Sequence, residues 1–247
     1  MNNGEIDVVL MIADISGYTR FMTANKTSSV HGQVIITQLM KAILKEARLP
    51  LKISKLEGDA VFFYLEKKGN EKMMRATMEG LITRIDRMIA LFHSKIRELV
   101  VSNLCPCDAC QNIEQLKLKV VIHFGKALFY KLDRFMELSG SDVILVHRLL
   151  KNSVPHHEYV LMTDPAFQQV TLPEGVETTQ SSEEYEGFET TVTHLYIPRK
   201  PTGREIDSQF DTPFFKWKRH QLKVWGERLS DWGLFKFPIF RNLTPPA

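Results

Sequence analysis

Cysteine is scarce in this 247-residue chain: there are three, all within Cys105–Cys110. An odd number confined to one hexapeptide is not a disulfide framework, so the fold must rest on a hydrophobic core. An excess of one charge is also lacking. Against 29 Asp and Glu stand 32 Lys and Arg, a net charge of +3. No stripe of basic residues interleaved with stacking aromatics occurs before residue 214, so nucleic acid is not an expected partner. A run of about 18 apolar residues and an N-terminal apolar segment with a cleavage site are both missing. The expectation is a cytoplasmic protein without a transmembrane segment. Tryptophan is absent until Trp217, after which Trp225 and Trp232 follow quickly.

What is present is ordinary for a globular protein: 44% apolar and 25% charged residues. The segment Pro198–Gly203 has the composition of a linker. It divides the chain into an expected domain, residues 1–198, and a C-terminal arm, residues 199–247. The arm mixes Phe214, Phe215 and the three Trp with Lys216, Lys218, Arg219 and Arg228. That mixture can mark a membrane or nucleic acid surface, but an arm packed on its own domain or on a partner is the favoured reading, ahead of peripheral membrane contact.

Ile6–Ala13 is a short apolar run whose length and Val/Ile content predict a buried strand. Residues 28–47 carry an apolar face of Val30, Val34, Ile35, Leu39, Ile43 and Leu44, which predicts a helix stopped by Pro50. Leu51–Tyr64 reads as strand, tight turn at Glu57-Gly58-Asp59, and strand. Residues 71–101 repeat apolar positions at three and four, predicting one long helix that either protrudes or breaks near Leu91. Residues 116–124 alternate as a strand; Gly125 then permits a turn, with a second strand over 126–131. Ser139-Gly140-Ser141-Asp142 leads into a helix, and Thr163-Asp164-Pro165 starts another. Strands close the domain at 158–162 and 190–197. The order β-α-β-β-α-β predicts an α+β, ferredoxin-like core with additional strands and helices.

Three groups of residues carry chemistry. Asp14 ends the first strand and Asp59 opens an almost wholly apolar one. Each either caps its own turn or faces a cation. In the expected topology the two strands are neighbours, so the two carboxylates can meet, where they would repel unless a cation joins them. The turn at Ile15, Ser16, Gly17 and Tyr18 offers amides that can face an anion. Cys105, Cys107 and Cys110 can share one Zn2+ with a fourth ligand such as His93 or a residue of a second subunit, or they are three reduced thiols in a loop.

Asp14-Ile-Ser-Gly-Tyr-Thr-Arg-Phe21 resembles the first metal-binding motif of class III adenylate and guanylate cyclase catalytic domains. Lys55-Leu-Glu-Gly58-Asp59 resembles their second. Val121-Ile-His-Phe-Gly125 is similar to their R/K-x-G-I-H-x-G strand, and Gly140–Leu149 to the helix that carries an Asn and an Arg. The likeness spans residues 6 to 197 and marks a divergent, cyclase-like subfamily. It implies a nucleotide cyclase-like fold and a two-ion Mg2+ or Mn2+ site on Asp14 and Asp59. It also implies a nucleoside triphosphate held by the amides of Ile15–Tyr18, a purine read by Lys55 and Glu137, and Arg148 on the transition state. The implied reaction converts ATP, in preference to GTP, to a 3′,5′-cyclic nucleotide and pyrophosphate for signalling. In that family one subunit supplies the metal residues and the other the Asn/Arg helix, so the resemblance implies a homodimer. Three positions depart from the pattern: Ile144 stands where the family has the ribose-orienting Asn, Glu137 stands where its second purine reader is usually Asp, and Val121 replaces a Gly. Three readings follow: an active cyclase, a catalytically degenerate domain that binds nucleotide as a regulator, and an interaction module whose two Asp merely cap turns.

Overall fold

The apolar run near the N-terminus is the centre of the molecule. In the computed structural model, which describes residues 4–24, 29–46, 51–67, 71–102 and 105–199, strand β1 (Ile6–Ser16) is flanked on both sides by antiparallel partners. Residues Val8 to Ala13 are fully buried. A strand that alternated apolar and polar residues could bury one face only; this one has apolar residues on both.

The other strands are β2 (Lys52–Glu57), β3 (Ala60–Glu66), β4 (Lys117–Leu132), β5 (Phe135–Ser139), β6 (Tyr159–Thr163), β7 (Thr179–Glu183) and β8 (Thr191–Tyr196). Together with β1 they make an eight-stranded sheet in the order β2-β3-β1-β4-β6-β8-β7, with β5 paired to the far end of β4. Among the described residues only the β4–β6 pairing is parallel. The first four strands reproduce the expected ferredoxin-like core. The helices are α1 (Tyr18–Ala24), α2 (Ser29–Leu44), α3 (Glu71–Glu79), α4 (Leu81–Val101), α5 (Asp108–Gln111), α6 (Ser141–Arg148) and α7 (Asp164–Phe167).

Strand periodicity sorts these elements into two layers. The odd residues of β1 (Val9, Met11, Ala13, Ile15) join the larger core with Ile35, Leu39 and Ile43 of α2 and Ile85, Met88 and Phe92 of α4. The even residues (Val8, Leu10, Ile12) join Phe62, Val121 and the Val143, Val146 and Leu149 side chains of α6 and the turn after it. Asp14 continues the even series, so it lies on the α6 side of the sheet.

Several sequence expectations shift. The long helix breaks at Gly80 and not near Leu91, because Gly is the weakest helix former in the segment. Helix α2 buries Ile35, Leu39 and Ile43 as expected, but its inward face is shifted: Val30 is exposed, while His31, Gly32, Ile36 and Met40 are buried. Gly125 makes no turn, and β4 runs straight through it. The hairpin comes later, at Asp133 and Arg134, where Asp133 adopts φ 52°. Strand β5 and strand β7 lie in segments too polar or too short to predict. The Cys segment includes a turn of helix, α5. Pro50 and everything beyond residue 199, including the arm with its aromatic and basic residues, lie outside the described residues.

Gly125 serves a close approach instead of a bend. The Asp142 carboxylate, at the start of α6, accepts the Lys126 amide at 2.6 Å and lies 3.3 Å from His123 Nε2. A Cβ at position 125 would collide with both that carboxylate and the His123 ring. His123 is buried, and its Nδ1 meets the Thr163 hydroxyl at 2.9 Å. These contacts tie β4, β6 and the head of α6 together. Gly125→Ala is therefore expected to destabilise the protein by about 1–3 kcal/mol in chemical denaturation, whereas Gly4→Ala, with open space around it, should leave the midpoint unchanged.

Candidate active site

The α6 face of the sheet gathers the polar residues that the fold does not need for packing. Asp14 pairs with Ala60 in the β1–β3 register, which sets it beside Asp59 in the preceding turn. The turn is fixed by Gly58 at φ 69° and by the Ile15 amide, which donates to the Asp59 carbonyl at 3.1 Å. The two carboxyl groups lie within hydrogen-bonding reach. Burial first, and then the Asp14 charge, push Asp59 up from 3.8 to about 6.

A cation already answers this charge. Lys119, opposite Asp14 in the β1–β4 register, puts its Nζ 3.0 Å from Asp14 Oδ2, with both side chains largely buried. The same ammonium donates to the Leu150 carbonyl at 3.1 Å. The sequence does not mark Lys119 by alternation, which counts the lysines of LKLKVVIHF as solvent-facing. The signal that finds it is the basic residue opening the R/K-x-G-I-H-x-G pattern, which falls on this position.

Lys55 and Glu137 come together from β2 and β5, at 3.1 Å and partly exposed. They are 82 residues apart in sequence and are joined because β5 folds back along β4 toward the β2 edge. Beside them His147 Nε2 lies 3.2 Å from Glu57 Oε1 and packs edge-on against Phe62. Arg148 is exposed at the end of α6, and Ile144 on the same helix is 54% exposed. Of the turn amides expected to face an anion, that of Ile15 is excluded: it is committed to Asp59, and its side chain is core. Ser16, Gly17 and Tyr18 remain at the junction, with Gly17 exposed at φ 88°.

The cysteines are distant from this face. Cys105, Cys107 and Cys110 converge with His31 of α2, and the four ligand atoms all lie within 4.8 Å of one another. His93 is not among them, since it is held 2.7 Å from Glu158. For Cys107, burial opposes ionisation, but the Cys110 backbone, His31 and the neighbouring thiols outweigh it and bring the thiol down to about 7. Burial, with Cys107 close by, pushes the Cys110 thiol up.

A family model described as a protein of unknown function, DUF2652, matches residues 36–159. The chain is 35% identical over 161 residues to the uncharacterized protein Rv2561/Rv2562 of Mycobacterium tuberculosis, an alignment covering 64% of this chain and 71% of that one. Among solved structures it is similar to the guanylyl cyclase Cya2, with a TM-score of 0.57 and 12% identity over 82% of this chain and 98% of the other. It is also similar to the adenylyl cyclase CyaB from P. aeruginosa, with a TM-score of 0.53 and 13% identity over 81% and 98%. At such identities the likeness is one of fold, and it agrees with the α+β, cyclase-like core. Among the described residues no helix is long and apolar enough to cross a membrane. The chain thus belongs to the DUF2652 family, on a fold shared with nucleotide cyclase catalytic domains.

Proposed function

We propose that this protein is a metal-dependent purine nucleotidyl cyclase acting as a homodimer, with ATP preferred to GTP. The observation that carries the reading is the Asp14–Asp59 pair: two partly buried carboxylates, joined by strand register, with a lysine ammonium as their counter-charge. A turn-capping pair has no reason to converge in this way, because the mutual repulsion weakens both.

The donor set fits hard divalent cations, which take oxygen ligands. Asp14 and Asp59 would hold Mg2+ or Mn2+, and such ions supply charge neutralisation of a triphosphate and acidification of a ribose hydroxyl. The chain's own residues do the rest. Lys55 donates to a purine ring acceptor, and Glu137 accepts from the neighbouring exocyclic amino group. The turn at Ser16–Tyr18 lines the phosphate side. Arg148 of the second subunit meets the charge that develops on the α-phosphate as the 3′-oxygen attacks. The 3′-oxygen–phosphorus bond forms, the bond to the bridging oxygen breaks, pyrophosphate leaves, and the hydroxyl proton passes to solvent.

Dimerisation is supported by apolar side chains left exposed on the elements that carry the site: Ile53 and Leu56 on β2, Leu132, Phe135 and Met136 on the β4–β5 hairpin, and Ile144 on α6. A second copy is the occupant that would bring Arg148 to the site. Ile144 also favours a second reading. An exposed aliphatic side chain where a ribose-orienting amide is expected suits a domain that binds nucleotide and regulates without turnover.

The test incubates the full chain with Mn2+ and ATP or GTP and follows cyclic nucleotide and pyrophosphate, with sedimentation to define the oligomer. The expected outcome is cyclic AMP formation by a dimer, falling about a hundredfold or more in Asp14→Ala, Asp59→Ala and Arg148→Ala. Nucleotide binding without product would move the assignment to the regulatory reading. Absence of binding would leave the interaction module.

The raised Asp59 gives a pH signature. Its folded value of about 6 exceeds its ordinary value of 3.8. Without a divalent cation the group therefore weakens the fold as pH rises through that window, and the penalty is complete above it. Asp59→Asn should raise the melting temperature at pH 7.5 and change it little at pH 3.5. Because cation binding requires the ionised carboxylate, Mn2+ affinity measured calorimetrically should fall up to about tenfold per pH unit below 6.

A further inference from the structure

The segment joining α4 to β4 has no role in the reading above, yet it carries all three cysteines of the chain. It runs from Cys105 through α5 and a short 3-10 turn, Ile113–Gln115, into β4. Its thiols face His31 on the first turn of α2. Cys105, Cys110 and His31 are buried, and Cys107 is partly so. His31 lies on the row of α2 positions that continues through Ile35, Leu39 and Ile43, all core residues. An imidazole there displaces an apolar side chain, and its Nδ1 is directed at the sulfurs.

From the distances and chemistry of these four groups we infer that His31, Cys105, Cys107 and Cys110 form a structural zinc site. Nδ1 of His31 is 3.6 Å from Cys105 Sγ and 3.5 Å from Cys107 Sγ. Zinc bonded to sulfur at about 2.3 Å and to nitrogen at about 2.0–2.1 Å, in tetrahedral geometry, sets ligand atoms about 3.5–3.8 Å apart. Hydrogen bonding does not explain the arrangement as well. One ring nitrogen accepts a single strong hydrogen bond, yet two sulfurs stand at nearly the same distance and the third is close by. Four soft or borderline protein ligands leave no open position for water or substrate, which is the mark of a structural rather than a catalytic zinc centre.

The site would act as a clamp. It fixes the start of α2 to the connection, and α5 packs on both α1 and α2. At its far end the connection reaches the turn after Asp14, where the Gln115 carbonyl lies 3.5 Å from the place a Cβ on Gly17 would take. Zinc would thereby hold in place the backbone that follows Asp14, although the site itself stands whether or not the chain turns over nucleotide.

The full chain, purified under reducing conditions without chelator, is to be analysed for metal by mass spectrometry and for thiols with a chromogenic disulfide reagent. The expectation is about one zinc per chain, three thiols that react only after chelation, and a lower melting temperature once metal is removed. Replacing zinc with Co2+ should produce the visible bands of a tetrahedral site and a near-ultraviolet band of thiolate-to-cobalt charge transfer. Cys107→Ser and His31→Ala should lose most of the metal, and His31→Cys should keep it. The Co2+ spectrum of the unaltered chain decides the matter even if the variants fail to fold. A folded, metal-free chain with three reactive thiols, or one with a disulfide within the cluster, would overturn the inference. So would His31→Ala protein with full zinc content and an unchanged Co2+ spectrum.

Discussion

Two carboxylates held together against their own repulsion are the constraint on which the candidate site depends. Strand pairing forces the encounter. Asp14 sits where β1 pairs with the first residue of β3, and the Ile15 amide holds the carbonyl of Asp59. The backbone at both positions is thereby fixed against the most buried strand of the protein. Repulsion is met in part by Lys119 and in part by a proton that Asp59 keeps to higher pH than usual. Both responses mark a place suited to concentrated positive charge.

The division of the sheet into two faces explains why a site could arise here. Helices α2 and α4 pack on one face and contribute to the larger core. On the other face, among the described residues, the short helix α6 packs against the sheet. The strand ends around it keep polar groups: Lys55 with Glu137, Glu57 with His147, and Asp14 with Lys119. The Asp142 carboxylate fixes the head of α6 against β4 through Lys126 and His123. The position of Arg148 at the other end of the helix follows from that anchoring.

Much of this was legible in the sequence where local chemistry is unusual. A carboxylate at the end of a wholly apolar strand stands out, so Asp14 and Asp59 could be singled out and paired through topology alone. Glu137 could be placed opposite Lys55 only through the family resemblance, because β5 is five residues long and has no strong pattern of its own. Lys119 was hidden by a regular alternation that is also found in half-exposed strands. His31 was hidden for the converse reason: an apolar stripe is read by its apolar members, and a histidine on the same row drops out. Gly125 looked like a turn because glycine frees the backbone, whereas here the missing side chain makes room for Asp142 and His123. In each case the deciding partner lies on another element, where single-strand or single-helix periodicity carries no information.

The central claim is that the Asp14–Asp59 pair exists to hold divalent cations for a nucleotide. Anomalous scattering from crystals grown with Mn2+ and a non-hydrolysable ATP analogue tests it most directly. The account predicts Mn2+ bound between the two carboxylates beside the triphosphate, with the Lys119 ammonium withdrawn from Asp14 and Arg148 of a second copy facing the α-phosphate. Nucleotide bound elsewhere, with Lys119 still on Asp14 and no Mn2+ at the carboxylates, would contradict it.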